Sequence, residues 1–66
     1  MKEQILNILR KHPGLRKREI ASYLGIHHFK IMSLLDEMEM VDHSLVRQYH
    51  HDPANMEFYD EYYAIK

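Results

Sequence analysis

The segment from Leu15 to Met40 constrains the fold of this chain more than any other, because it holds two helical patterns on either side of a glycine. The apolar positions of the two patterns are Ile20, Ala21 and Leu24 before the glycine, and Ile31, Leu34, Leu35 and Met38 after it. A glycine at the end of a helix readily takes the left-handed backbone that turns a chain sharply, and Gly25 is placed for that role. The segment therefore predicts two short helices joined by a tight turn, each burying one face.

One more helix precedes this segment, and two strands follow it. The first apolar stripe contains Ile5, Leu6, Ile8 and Leu9, and Pro13-Gly14 ends it. Residues 44–50 and 57–65 have the alternation of strands, and His51 to Asn55 form a turn in which Asn55 is expected to take an unusual backbone angle. We predict helix 1 at about 2–12, helix 2 at about 17–24, helix 3 at about 27–41 and a β-hairpin at about 44–65. Together they form one α+β domain, mainly α, that spans residues 1–66.

Length and composition restrict the class of protein. A chain of 66 residues has room for one small domain. It contains no cysteine, so disulfides and thiolate metal sites are excluded. No apolar run approaches the roughly 20 residues of a membrane span, and acidic Glu3 within a periodic stripe is unlike a secretory signal peptide. We expect a soluble, cytoplasmic protein without membrane contact.

The net charge of −1 conceals a strong asymmetry along the chain. Residues 1–30 carry seven basic and two acidic residues, a balance of +5, whereas residues 31–66 carry two basic and eight acidic residues, a balance of −6. The chain as a whole therefore has no general attraction to phosphate, but its first half has. Three of the basic residues are consecutive and precede or open helix 2, at Arg16, Lys17 and Arg18.

Three helices followed by a hairpin is the element order of winged helix-turn-helix domains, and the chain resembles that superfamily from Glu3 to Ile65. The matching motifs are Met-Lys-x-x-Ile-Leu-x-x-Leu at residues 1–9, His-x-Gly at 12–14, Glu-Ile-Ala-x-x-Leu at 19–24 and Leu-Leu-x-x-Met-Glu at 34–39. Within the superfamily the chain is most similar to the small single-domain regulators of bacterial fimbrial operons. The resemblance implies a transcription regulator of bacterial or phage type. Its helix 3 would enter the major groove of double-stranded DNA, and its hairpin, the wing, would touch the DNA backbone or an adjacent minor groove.

The candidate DNA contacts lie at the starts of helices 2 and 3 and on the wing. They are Arg16, Lys17, Arg18, His27, His28, Phe29, Lys30, Ser33 and Arg47. The first three, with the free amide groups at the start of helix 2, can hold phosphates, and Arg47 can hold another from the wing strand. Lys30 and Ser33 can meet a base edge or a phosphate, and Phe29 can meet a thymine methyl group. The acidic residues that follow in helix 3 would repel phosphate, so only the N-terminal part of this helix is expected to read DNA.

The same fold also supports a second interpretation, a protein–protein interaction module. Phe29 and Met32 would then form the apolar centre of an interface on helix 3. The tyrosine-rich strand offers Tyr59, Tyr62 and Tyr63 for contacts between copies of the chain, unless these rings pack into the core. Because a monomer of this size reads few base pairs, a homodimer or a larger regulatory complex is expected on DNA.

The six histidines raise the questions of metal binding and of pH sensitivity. The chain has neither a His-x-x-x-His spacing nor a cysteine to support a zinc site, so we expect no metal and no cofactor. One arrangement for a metal site stays open, namely His43, His50 or His51 together with Asp52. Protonation below about pH 6.5 would make helix 3 and the wing more cationic. The chain has no glycine-rich phosphate loop and no nucleophile–base spacing, so neither an enzyme nor a small-molecule substrate is expected.

Overall fold

The computed structural model describes residues 1–65. Within them, three helices precede a two-stranded antiparallel sheet: α1 at Lys2–Lys11, α2 at Lys17–Leu24, α3 at His28–Met40, β1 at Leu45–Asp52 and β2 at Glu57–Ala64. This confirms the predicted α+β architecture, mainly α, and the order of its elements. α1 ends one residue before the predicted boundary, and α3 is one residue shorter at each end, because His12, His27 and Val41 are helix caps.

Local interactions define both sides of the turn between α2 and α3. Gly25 has a φ of +70° and its amide donates to the Ala21 and Ser22 carbonyls, which confirms the left-handed glycine expected there. α3 starts after His27, whose Nδ1 accepts a hydrogen bond from the Phe29 amide at 3.2 Å. The imidazole thereby satisfies one of the amide groups that the start of a helix leaves without a partner.

The core lies where one face of each helix meets the inner face of the sheet. Its buried side chains are Ile5, Leu9, Ile20, Ala21, Ile31, Leu35, Met38, Leu45 and Tyr62. The predicted apolar stripes of the helices therefore face inward, with Leu6 and Leu24 packed at the edge of the core. Ile8 and Leu34 are half-buried. Each fully buried aliphatic side chain contributes about 1.5–3 kcal/mol, so this small set supplies most of the apolar stabilisation.

The hairpin is regular along its whole length. Eight residue pairs run without a bulge from Leu45–Ala64 to Asp52–Glu57. The connecting loop is 53–56, and the Asp52 carboxylate accepts hydrogen bonds from the Ala54 amide and from the Asn55 side chain, both at 3.0 Å. The turn therefore begins later than expected, because His51 and Asp52 still pair with β2. The positive φ expected at Asn55 occurs instead at Met56, where it is +56°.

A short bridge joins the connection between α1 and α2 to the outer edge of β2. The Gly14 amide donates to the Tyr62 carbonyl, and the Tyr62 amide donates to the Leu15 carbonyl, each at 2.9 Å. Gly14 has a φ of +90°, and a Cβ at this position would lie 3.2 Å from the Tyr63 hydroxyl. The sequence did not predict this bridge, which holds the start of α2 beside the hairpin.

Candidate nucleic-acid interface

The first turns of α2 and α3 lie close together and carry positive charge. The pKa of His28 is lowered from its ordinary value, first by partial burial and then by the positive charges of His27, Arg18 and Lys17. The His28 Nδ1 atom is buried and has no hydrogen-bond partner within residues 1–65. The turn at Gly25 thus brings the basic start of α2, predicted from the sequence as a phosphate site, next to the start of the candidate reading helix.

Three aromatic rings cluster at the start of α3. The ring centroids of His27 and His28 are 4.5 Å apart, those of His27 and Phe29 are 4.8 Å apart, and those of His28 and Phe29 are 4.4 Å apart. Phe29 nevertheless remains 67% exposed, and Lys30 and Ser33 are also exposed. The N-terminal part of α3 therefore presents an aromatic side chain, an amine and a hydroxyl to solvent, next to the cations of α2.

Two of the three acidic residues in the second half of α3, Glu37 and Glu39, are paired with basic residues from other elements. Lys2 Nζ lies 3.3 Å from Glu37 Oε2 and 2.8 Å from Asp42 Oδ2, and hydrogen bonding to Asp42 raises the pKa of Lys2. Arg47 Nε lies 3.2 Å from Glu39 Oε1. Exposed pairs of this kind add little stability, because solvent screens the charges. Their main effect here is to reduce the negative field at one end of the helix.

Arg47 was expected to hold a phosphate from the wing, but its contacts lie within the protein. Its guanidinium lies between Glu39 and Asp60, with Nη1 at 3.7 Å from Asp60 Oδ2. The charge of Glu39 is the main cause that raises the pKa of Arg47, and a hydrogen bond with Tyr62 adds to it. The side chain is therefore occupied by contacts within the protein, and it does not join the cations at the starts of α2 and α3.

The tyrosine-rich strand requires a correction. Tyr62 is only 4% exposed, because the hairpin register places it opposite Arg47 on the face that covers the helices, so Tyr62 cannot be an exposed interface residue. Burial also raises its pKa. Tyr59 is half-buried, with the Arg16 guanidinium 3.8 Å from its ring centroid. Tyr63 is half-buried too, and its hydroxyl donates to Glu61 Oε1 at 3.2 Å.

The most exposed apolar residues of the hairpin lie instead near its tip, where the sequence did not lead us to expect them. Phe58 stacks on His51 with ring centroids 4.4 Å apart, and Tyr49 lies 5.7 Å from Phe58 on the same face. Met56 in the loop is also exposed. The alternation of the two strands, combined with the correct turn, would have placed these rings on one face of the hairpin, but not shown that this end of the face is exposed.

Neither a known protein family, nor a characterised protein, nor a solved structure matches this chain. No helix within residues 1–65 is long and apolar enough to cross a membrane. In the same part of the chain, no three or more histidine or acidic side chains are grouped so that they could hold a metal ion. The function therefore has to be inferred from the arrangement of the exposed and charged side chains.

Proposed function

We propose that this protein is a winged helix-turn-helix transcription regulator that binds double-stranded DNA with the start of α3 in the major groove. The observation that carries this proposal is the cluster of cations around the first turns of α2 and α3. Lys17, Arg18 and Lys30 have no carboxylate within ion-pair distance among residues 1–65, whereas Lys2 and Arg47 do. Three cations without an ion pair in that part of the chain thus lie around the starts of α2 and α3, whereas Lys2 and Arg47 are paired with carboxylates near the C-terminal end of α3.

The length of α3 supports the same orientation. A helix rises about 1.5 Å per residue, so Asp36 and Glu37 lie roughly 12 to 13 Å along the axis from His28. The major groove is about 12 Å wide, which puts these two carboxylates at or beyond its edge when the N-terminal end enters. The N-terminal part of α3, which fits inside the groove, contains Phe29, Lys30 and Ser33.

Each exposed group then has a chemical role. Lys17 and Arg18 neutralise phosphates beside the groove, a contact that fixes position without reading sequence. Lys30 donates to a guanine edge or to a phosphate, and Ser33 bonds to a base or a phosphate. Phe29 packs against a thymine methyl group. Because few base pairs are read in this way, regulation by promoter occupancy requires a dimer or a complex with another regulator.

A fluorescence-anisotropy titration on mixed-sequence duplex DNA tests the proposal. Binding should weaken steeply between about 50 and 200 mM salt, because bound phosphates release counterions. The double variant Lys17→Ala with Arg18→Ala should weaken all duplexes alike and reduce the salt dependence by about two phosphate contacts. Lys11→Ala, which removes one charge at the end of α1, is the matched control and should have little effect. Lys30→Ala should change the preference between duplexes.

Absence of binding at about 50 mM salt would contradict the proposal, since electrostatic attraction is strongest there. It would favour the interaction module instead, because Phe29 and Met32 are both exposed on α3 and can form the centre of a protein interface. An effect of Lys11→Ala half as large as that of the double variant, and so the same for each charge removed, would show attraction by net charge alone.

A further inference from the structure

The outer edge of β2 is open along part of its length. The Tyr62 amide and carbonyl point away from β1, since they bond to Leu15 and Gly14. Successive strand residues direct these groups to opposite edges, so the amides and carbonyls of Asp60 and Phe58 also point outward. Within residues 1–65 these groups have no backbone partner on that side. The covering segment stops at Leu15 because the chain leaves the sheet at Arg16 to begin α2.

A cleft of about 530 Å³ lies beside this open edge. It is lined by Arg16, Lys17, Arg18, Glu57, Phe58, Tyr59, Asp60 and Tyr62. One wall is the edge of β2, and the other is the start of α2. The cleft therefore continues the line of the Leu15 bridge, at the place where a further strand would lie.

The charge of the cleft is positive. Three basic residues form the wall that faces the strand, and the Arg16 guanidinium is held over the Tyr59 ring. On the strand side the lining has two carboxylates, Glu57 and Asp60. Asp60 is paired with Arg47, so its charge is partly neutralised, and the three basic residues leave the lining with a net positive charge. Phe58, 61% exposed, adds an apolar surface at the far end.

We propose that an extended acidic peptide of a partner protein binds in this cleft as an added strand on the edge of β2. The amides and carbonyls of Phe58 and Asp60 supply the backbone hydrogen bonds, and the three basic residues bind the carboxylates of the peptide. A nucleic-acid strand fits less well, because the free carbonyl oxygens of the edge would face its phosphates. This site shares Lys17 and Arg18 with the proposed phosphate contacts but does not use α3, and its occupant is a protein.

The test uses a probe peptide of seven residues that alternates valine and glutamate, acetylated and amidated at its ends. Hydrogen exchange of the intact protein is followed by NMR without DNA, so the outcome is independent of the proposed DNA binding. The Phe58 and Asp60 amides should exchange rapidly in the free protein and about tenfold or more slowly with the peptide. The Tyr62 amide, which is already bonded, should change little.

Four comparisons separate the contribution of strand addition from that of charge. The same peptide with N-methyl groups on alternate residues keeps its charge but loses half of its backbone donors, and it should not protect Phe58 and Asp60. A peptide with lysine in place of glutamate should not bind. Arg16→Gln with Lys17→Gln should weaken binding by roughly three- to tenfold, whereas Lys11→Gln should not.

Several results would overturn the inference. Equal binding of the N-methylated peptide would show that only charge is recognised. Protection of the Tyr49 and His51 amides alone would place the added strand on β1. Protection of Phe58 and Asp60 by oligothymidylate but not by the peptide would make the cleft a single-strand site. Protection that appears without any peptide as protein concentration increases would identify a second copy of the chain as the occupant.

Discussion

At the start of α3, the charge of the His28 imidazole depends on three neighbouring positive charges. Partial burial and the charges of His27, Arg18 and Lys17 lower its pKa in the free protein. Phosphates bound at Lys17 and Arg18 would offset two of these charges and raise that pKa. Proton uptake would then accompany DNA binding, so affinity should increase as pH falls through the range between the free and bound pKa values.

The prediction for His28 is a DNA affinity that increases as pH falls from neutral at constant salt, measured by anisotropy. His28→Gln removes the titrating group and should flatten this dependence. The stability of the free protein should change in the opposite direction. A pKa below that of the unfolded chain contributes stability that is present above about pH 6.5 and is lost as pH falls through the folded-state pKa. A pH-independent affinity in the wild type would contradict the coupling.

At the scale of elements, the sequence predicted what depends on one element and missed what depends on two. Helical spacing and Gly25 were enough to place the three helices, and alternation was enough to find both strands. The bridge from Leu15 to Tyr62 and the ion pairs of Arg47 depend on how the hairpin packs on the helices. The same packing decides that Tyr62 is buried, since alternation separates two strand faces without showing which one covers the core.

Two glycines provide a test of these turns: Gly14 precedes α2, and Gly25 ends it. Gly25→Ala should reduce the free energy of unfolding by about 1–2 kcal/mol, because φ is +70° but no atom lies within 4 Å of the added Cβ. Gly14→Ala should cost more, because φ is +90° and the Cβ would lie 3.2 Å from the Tyr63 hydroxyl. Urea denaturation measures both values. A smaller effect at Gly14 than at Gly25 would contradict the tight packing of the bridge.

At the scale of the whole molecule, stability depends on a small core. A domain of 66 residues is expected to unfold with a free energy of roughly 3–10 kcal/mol. Leu35 is fully buried at the centre of that core, and Leu35→Ala should cost about 2–5 kcal/mol. This variant should be marginally stable at 25 °C, whereas Leu34→Ala, at a half-buried neighbour, should retain a clear cooperative transition. Equal losses at the two positions, measured by urea denaturation, would contradict the observed difference in burial.

The marginal stability of Leu35→Ala also links folding to the proposed DNA binding. A ligand that binds only the folded state adds about 2.7 kcal/mol when present at 100 times its Kd. Because Leu35 lies behind the exposed face of α3, the variant keeps all of the proposed contacts, and excess duplex DNA should restore its helical circular dichroism and raise its Tm. Leu35→Ala combined with Lys17→Ala and Arg18→Ala should be rescued clearly less at the same duplex concentration, because its Kd is higher. Rescue of both variants to the same extent would mean that the duplex stabilises the fold without using the start of α2.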